Sequence, residues 1–106
     1  MHQLLQPPLP SPARAALVAQ WLHLTRTVLP GMATAHRWPI RFDHCFMRVF
    51  LDHAMQGRWD RTVRRPAIRH MPDADLHRAI ELAEAVVAAP HRLPELNAQS
   101  LVWRRA

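Results

Sequence analysis

The sequence predicts an all-α protein: a single compact bundle of four to five helices with a disordered, proline-rich N-terminal tail. Apolar residues recur three and four positions apart over most of the chain, as they do along one face of a helix, and no stretch shows the alternation of a strand. Proline and glycine fall mainly between these periodic segments. The chain has 106 residues, enough for one modest core. We therefore expect a flexible tail over 1–11 and one helical domain over 12–106.

The first helix is predicted over 12–29. Ser11 is placed to cap it, Pro12 suits the first helical position, and Pro30-Gly31 is expected to end it. The following connection, 30–39, contains Trp38, which we expect to fold back over the core because a buried indole removes a large apolar area from water.

The central helix is predicted over 41–56, with Gly57 as its left-handed C-terminal cap. Three phenylalanines at four-residue spacing are expected to supply the centre of the core, and the opposite side forms a polar stripe. Asp43 and His53 interrupt the apolar side. Asp43 is expected to accept from N–H groups of the first turn and His53 to be a hydrogen-bonded core histidine; a catalytic Asp–His pair is the alternative, although one straight helix holds them nearly three turns apart. The phenylalanines are Phe42, Phe46 and Phe50, and the stripe is Arg41, His44, Cys45, Arg48, Asp52 and Gln56.

The densest positive charge follows this helix. Residues 57–70 contain five arginines and one aspartate, Asp60. A short helix from 58 to 65 would place Trp59 and Val63 toward the core, pair Asp60 with Arg64 at i, i+4, and end before Pro66. The candidate anion-binding residues are Arg58, Arg61, Arg64, Arg65, Arg69 and, from the central helix, Arg48, and Arg41, Arg104 and Arg105 are candidates to extend the surface.

Two further helices complete the bundle. One is predicted to open at Met71-Pro72-Asp73 and to end at Pro90, with acidic residues in its first turn that suit the positive end of the helix dipole. The last runs from Leu93 to about Trp103.

Several classes of protein are disfavoured by composition. The single cysteine, Cys45, excludes an internal disulfide, and no apolar run or basic leader predicts a membrane span or a secretory signal, so we expect a cytoplasmic protein. With two glycines there is no phosphate-binding loop, and no cofactor is expected. The eight histidines show no paired ligand spacing, so no metal is expected, although His44, Cys45 and His70 could converge in the fold.

One pattern extends over about residues 38 to 105: R-F-D-H-C-F-M-R at 41–48, then Leu51-Asp52, Trp59, Pro66-Ala67, the run from Leu76 to Glu84, and Leu96-Asn97-x-x-Ser100-Leu101-x-Trp103-Arg104. It resembles a group of short bacterial proteins without known function, some of which carry an acetyltransferase label. Such enzymes need a mixed sheet and a glycine-bearing pyrophosphate loop, and this sequence shows neither. The resemblance implies no mechanism and assigns no catalytic residue.

Three functions remain open at this point. The first is a small arginine-rich module that binds nucleic acid through the 58–69 segment. The second is an accessory or adaptor protein whose arginines pair with an acidic protein surface, with exposed aromatic residues as anchors. The third is a small enzyme that uses the polar stripe from Arg41 to Gln56, with Cys45 or His44 as the reactive group and Arg48 holding an anionic substrate.

Overall fold

The all-α prediction is confirmed by a computed structural model of the protein, which describes residues 11–105. Within this range the chain forms five helical rods joined by turns. The predicted flexible tail, apart from residue 11, lies outside the described residues. The first rod consists of α1 (Pro12–His23), a π-helical turn (Leu24–Val28) and α2 (Leu29–Met32), and the others are α3 (Asp43–Met55), α4 (Ala67–His70), α5 (Asp73–Ala88) and α6 (Leu93–Arg105).

The first rod begins as predicted but ends later. The Ser11 hydroxyl accepts a hydrogen bond from the Arg14 N–H at 3.0 Å, which confirms the cap. Pro30, however, lies inside the rod, which continues to Met32. In α-helical geometry the ring of Pro30 would meet the carbonyl of Arg26. The π-helical turn over Leu24–Val28 widens the backbone at this point, so the proline is accommodated without ending the helix.

Two of the three core phenylalanines are placed as predicted. Phe46 and Phe50 are fully buried in α3, but 58% of Phe42 is exposed, so its assignment to the core was wrong. The reason is that α3 begins at Asp43, two residues later than predicted, and Phe42 has the extended backbone of a cap. Its side chain therefore leaves the apolar face that the helical spacing assigned to it.

The C-terminal cap of α3 also differs from the prediction by one residue. Gln56, and not Gly57, has the left-handed conformation, with φ of 57°. The Gly57 N–H donates to the carbonyl of Asp52 at 3.1 Å and closes the turn. The glycine is thus close to the cap but does not provide its conformation.

The predicted helix from 58 to 65 was wrong. The segment contains one 3₁₀ turn, Trp59–Arg61, and then an irregular stretch to α4. Eight residues that include a β-branched valine and run up to a proline are too few to support an isolated helix. Trp59 and Val63 are nevertheless buried, as predicted, because the turn packs against the core.

The core forms where α3 packs against α5, α6 and the first rod. Trp38 is buried and its indole N–H donates to the carbonyl of Pro90 at 2.9 Å, so the connection covers the core as predicted. Arg14 ties the first rod to the other side of the bundle through Asp73, at 2.7 Å, and the Ile68 carbonyl, at 2.9 Å. None of the helices in the described part is long and apolar enough to cross a membrane.

The cap of α3 yields a test by paired substitution. Gln56→Gly should stabilise the protein by roughly 0.5–1 kcal/mol, because glycine adopts the left-handed conformation without the steric cost of a side chain. Gly57→Ala should be tolerated, since Gly57 has no positive φ and a Cβ there meets no atom within 4 Å. Chemical denaturation of both variants measures the difference. The opposite ranking would show that the left-handed residue is Gly57.

Candidate functional site

A groove of about 470 Å³ lies between the first rod, α3 and the residues around Pro66. Its floor is largely apolar, and Trp21, Met47, Leu51 and Ile68 contribute to it. The charged side chains around it are all basic, and no carboxylate is found among the described residues that line it. They are Arg26 from the π-helical turn, His44 and Arg48 from α3, Arg65 from the irregular stretch, and Arg104 from α6.

One wall of the groove is fixed by a fully buried carboxylate, Asp52. Arg104 donates to both of its oxygens, from Nε at 2.8 Å and from Nη2 at 3.0 Å. The Ser100 hydroxyl donates to it at 2.8 Å and the Trp59 N–H at 3.0 Å. A buried charge is stable only when it is paired with an opposite charge and hydrogen-bonded. Asp52 has its ion pair with Arg104 of α6, and its hydrogen bonds come from α6 and the 3₁₀ turn.

Arg48 lies beside this carboxylate but bonds to neutral groups. Its Nη1 donates to the Ser100 hydroxyl at 2.7 Å and its Nη2 to the side-chain oxygen of Asn97 at 2.6 Å. Removal from water lowers the pKa of Arg48, and repulsion by Arg104 acts in the same direction, while Cys45 and Asp52 oppose them. Two guanidinium groups therefore share the neighbourhood of one carboxylate, and the wall keeps an excess of positive charge.

The polar stripe of α3 is not one exposed surface. Asp52 was predicted to lie on the outer side, and this was wrong because α6 packs over that part of the stripe. His44 remains exposed, whereas Cys45 is half-buried. The enzyme hypothesis, which uses Cys45 or His44 together with Arg48, stays a prediction.

The two polar residues on the apolar side of α3 have separate partners. Asp43 accepts from the His44 N–H at 2.8 Å in the first turn, as predicted. His53 donates from Nε2 to the carbonyl of Leu96 at 2.8 Å and packs edge-on against Trp103. His53 is thus a hydrogen-bonded histidine at the α3–α6 contact, and the two residues do not form an Asp–His pair.

Asp60 joins two of the predicted arginines. Arg58 donates to it from Nε and Nη2, both at 3.2 Å, and Arg65 donates from Nη2 at 2.7 Å. These hydrogen bonds, Arg58 first, hold the pKa of Asp60 well below its usual value, and Asp60 in turn raises the pKa of Arg58. The predicted contact with Arg64 is not among the ion pairs of the described residues, because the helix that would form it is absent.

The six predicted arginines do not all face one site. Only Arg48 and Arg65 line the groove. Arg61, Arg64 and Arg69 are exposed, and the side chains of the last two form no hydrogen bond or ion pair with other residues of the range 11–105. From the sequence, Arg104 was predicted only as a possible extension of the surface, and Arg26 was not predicted because no local pattern marks it.

Comparison with known proteins adds no assignment to this site. The sequence matches no protein-family model, and no curated protein or solved structure proved similar to it. The resemblance to short bacterial proteins stays a prediction. Within residues 11–105, no three histidine, cysteine or acidic side chains are grouped as metal ligands would be, and this includes His44, Cys45 and His70.

Removal of the buried carboxylate should have a large effect on stability. Asp52→Asn leaves the Arg104 guanidinium partly buried beside a neutral group, and the loss of one member of such a pair costs about 3–5 kcal/mol. Arg104→Gln leaves Asp52 without its cation, and the double variant should lose clearly less than the sum of the two. Urea denaturation measures all three. Arg105→Gln, at the next position and exposed, is the control and should change stability by less than about 0.5 kcal/mol. Equal losses of stability in Arg104→Gln and Arg105→Gln would contradict the ion pair between Asp52 and Arg104 as a source of stability.

Asp60 makes the stability of the protein depend on pH. Its pKa in the fold lies below the value of about 3.9 in an unfolded chain, so its contribution is complete above that value and is lost as the pH falls through the acidic range. Asp60→Asn should therefore be less stable than the native protein at neutral pH, and the difference should shrink below about pH 4. Urea denaturation between neutral and acidic pH tests this. Glu95→Gln, an exposed position without an ion pair among the described residues, serves as the control. A difference that does not vary with pH would contradict the expectation.

Proposed function

We propose that the protein binds nucleic acid and that the groove with its adjoining arginines is the binding surface. The observation that supports this most directly is the set of charges around the groove: four arginines and a histidine, with no carboxylate among the described lining residues. Phosphate oxygens are matched by guanidinium groups in charge and in geometry.

The positive charge at the groove exceeds what the nearby carboxylates neutralise. Asp52 pairs with Arg104, Asp60 pairs with both Arg58 and Arg65, and Asp43 lies 4.0 Å from Arg26. Arg48 has only the neutral oxygens of Ser100 and Asn97. The four arginines that line the groove and the neighbouring Arg58 are thus set against three aspartates, and this excess favours a polyanionic ligand over a neutral one.

The arginines of the α6-side wall are held in place before any ligand arrives. Arg104 uses Nε and Nη2 on Asp52, and Arg48 uses Nη1 and Nη2 on Ser100 and Asn97. No hydrogen bond within residues 11–105 uses Arg104 Nη1 or Arg48 Nε, and in this proposal these two groups donate to a bound phosphate. Less side-chain entropy is lost on binding when the side chains are already fixed.

The segment first predicted as the binding site takes a different role in this proposal. Arg65 belongs both to the segment and to the groove, while Arg64 and Arg69 are exposed beyond it and would contact phosphates further along a bound chain. Asp60 competes with phosphate for Arg58 and Arg65, so the segment contributes less than its five arginines suggest.

A second candidate function is an adaptor for an acidic protein partner. It is favoured by exposed apolar side chains on the described surface: Phe42 at 58%, Leu101 at 43% and Val102 at 49%. Neighbouring Leu101 and Val102 on α6 would supply an apolar contact next to basic residues. Co-purification of one defined partner that resists nuclease treatment and is lost in Leu101→Glu would favour this function, whereas binding that disappears with nuclease would favour the first.

The salt dependence of binding tests the proposed function. Affinity for DNA should fall steeply between about 50 and 200 mM salt, with a slope near 0.9 per phosphate neutralised. Arg26→Gln should lower the slope by up to about one unit, because its exposed guanidinium lines the groove. Arg92→Gln, an exposed arginine outside the groove, should leave it unchanged. Fluorescence anisotropy titrations provide the measurement, and an affinity that is independent of salt, or the absence of binding, would refute the proposal.

A further inference from the structure

We infer that the groove accepts single-stranded nucleic acid, with unpaired bases stacked on two planar platforms, Trp59–Arg65 and Phe42–His44. This rests on the proposed function and specifies its ligand. Both platforms border the groove, since Arg65 and His44 are among its lining residues. The first combines the indole of Trp59 with the exposed guanidinium of Arg65, and the second combines the ring of Phe42 with the exposed imidazole of His44.

In the first platform, a guanidinium lies over an indole. The Cζ atom of Arg65 is 5.1 Å from the centre of the Trp59 ring, and Trp59 is buried beneath it. Asp60 holds the same guanidinium at 2.7 Å. The Arg65 side chain is still 68% exposed, so its guanidinium is accessible to a base from solvent. Arginine planes and aromatic faces are the groups on which unpaired bases stack.

The second platform lies at the start of α3. The rings of Phe42 and His44 are nearly parallel, at 4°, with their centres 5.9 Å apart. The His44 side chain is 77% exposed, and Phe42 is 58% exposed although the other two phenylalanines are fully buried. The Arg41 guanidinium lies 5.8 Å from the centre of the Phe42 ring. Exposed aromatic surface combined with positive charge is typical of proteins that bind single strands.

The two platforms share the groove with the fixed arginines. Arg48 and Arg104 line it together with His44 and Arg65, so one bound strand can place a phosphate on the arginine pair and bases on the platforms. A volume of about 470 Å³ is within the range of sites for small organic molecules and is sufficient for a nucleotide. A duplex keeps its bases paired and stacked inside, and would engage the phosphate contacts alone.

Three probes of equal length separate stacking from phosphate binding. They are a labelled oligodeoxythymidylate of about 12 nucleotides, an oligomer with the same phosphates but abasic sites, and a duplex. We expect the thymidylate to bind at least about 10-fold more tightly than the other two, since each stacked base contributes roughly 5- to 150-fold in affinity. Equal affinity for the thymidylate and the abasic oligomer would overturn this inference while leaving phosphate binding intact. Lack of binding to all three would instead refute the proposed function.

Substitutions in the platforms give a second, independent measurement. Arg65→Lys keeps the charge but removes the plane, and Phe42→Ala removes an exposed ring without opening the core. Each should weaken binding of the thymidylate by roughly 5-fold or more and leave the abasic oligomer nearly unchanged. Leu101→Ala, an exposed apolar residue outside the groove, is the matched control. Circular dichroism verifies that the variants fold. Native affinity for the thymidylate in both platform variants would overturn the inference.

Discussion

The arrangement of α3, α6 and the 3₁₀ turn depends on one buried carboxylate. Asp52 is inaccessible to solvent and accepts hydrogen bonds from Trp59, Ser100 and Arg104. An unpaired charge in that position would strongly destabilise the fold, so these partners must be present together. Since they come from different parts of the chain, the same interaction that satisfies Asp52 also fixes α6 and the segment after α3 relative to α3.

This constraint makes the contact between α3 and α6 partly polar. On α3, Arg48 donates to Asn97 and Ser100 of α6, and Asp52 accepts from Ser100 and Arg104 of α6. Ser100 therefore links the two α3 side chains in one hydrogen-bond network. Networks of this kind fix side-chain directions more narrowly than apolar packing does. Arg104, which bonds to Asp52, and Arg48, which bonds to the same Ser100 as Asp52, are therefore positioned by the network around a buried charge. This part of the basic wall is a consequence of the fold.

Charge along the chain and charge on the surface have different distributions in this protein. Residues 57–70 look like a continuous basic segment in the sequence, yet Arg58 and Arg65 share Asp60. The groove instead collects arginines from four separate elements, of which Arg26 and Arg104 are nearly eighty residues apart. In this protein a cluster of like charges in sequence is therefore a weaker guide to positive surface charge than the surface on which distant arginines meet.

The sequence by itself determined the helical class and the approximate extent of most helices, because these depend on the local spacing of apolar residues and on capping residues such as Ser11. It also indicated the burial of Trp38, Trp59 and Val63. The exposure of Phe42, the burial of Asp52 and the meeting of Arg26 with Arg104 were decided only in the tertiary structure. Helical periodicity defines the faces of one helix, but which face a neighbour covers depends on how distant segments pack, and α6 covers a side of α3 that its own pattern marks as polar.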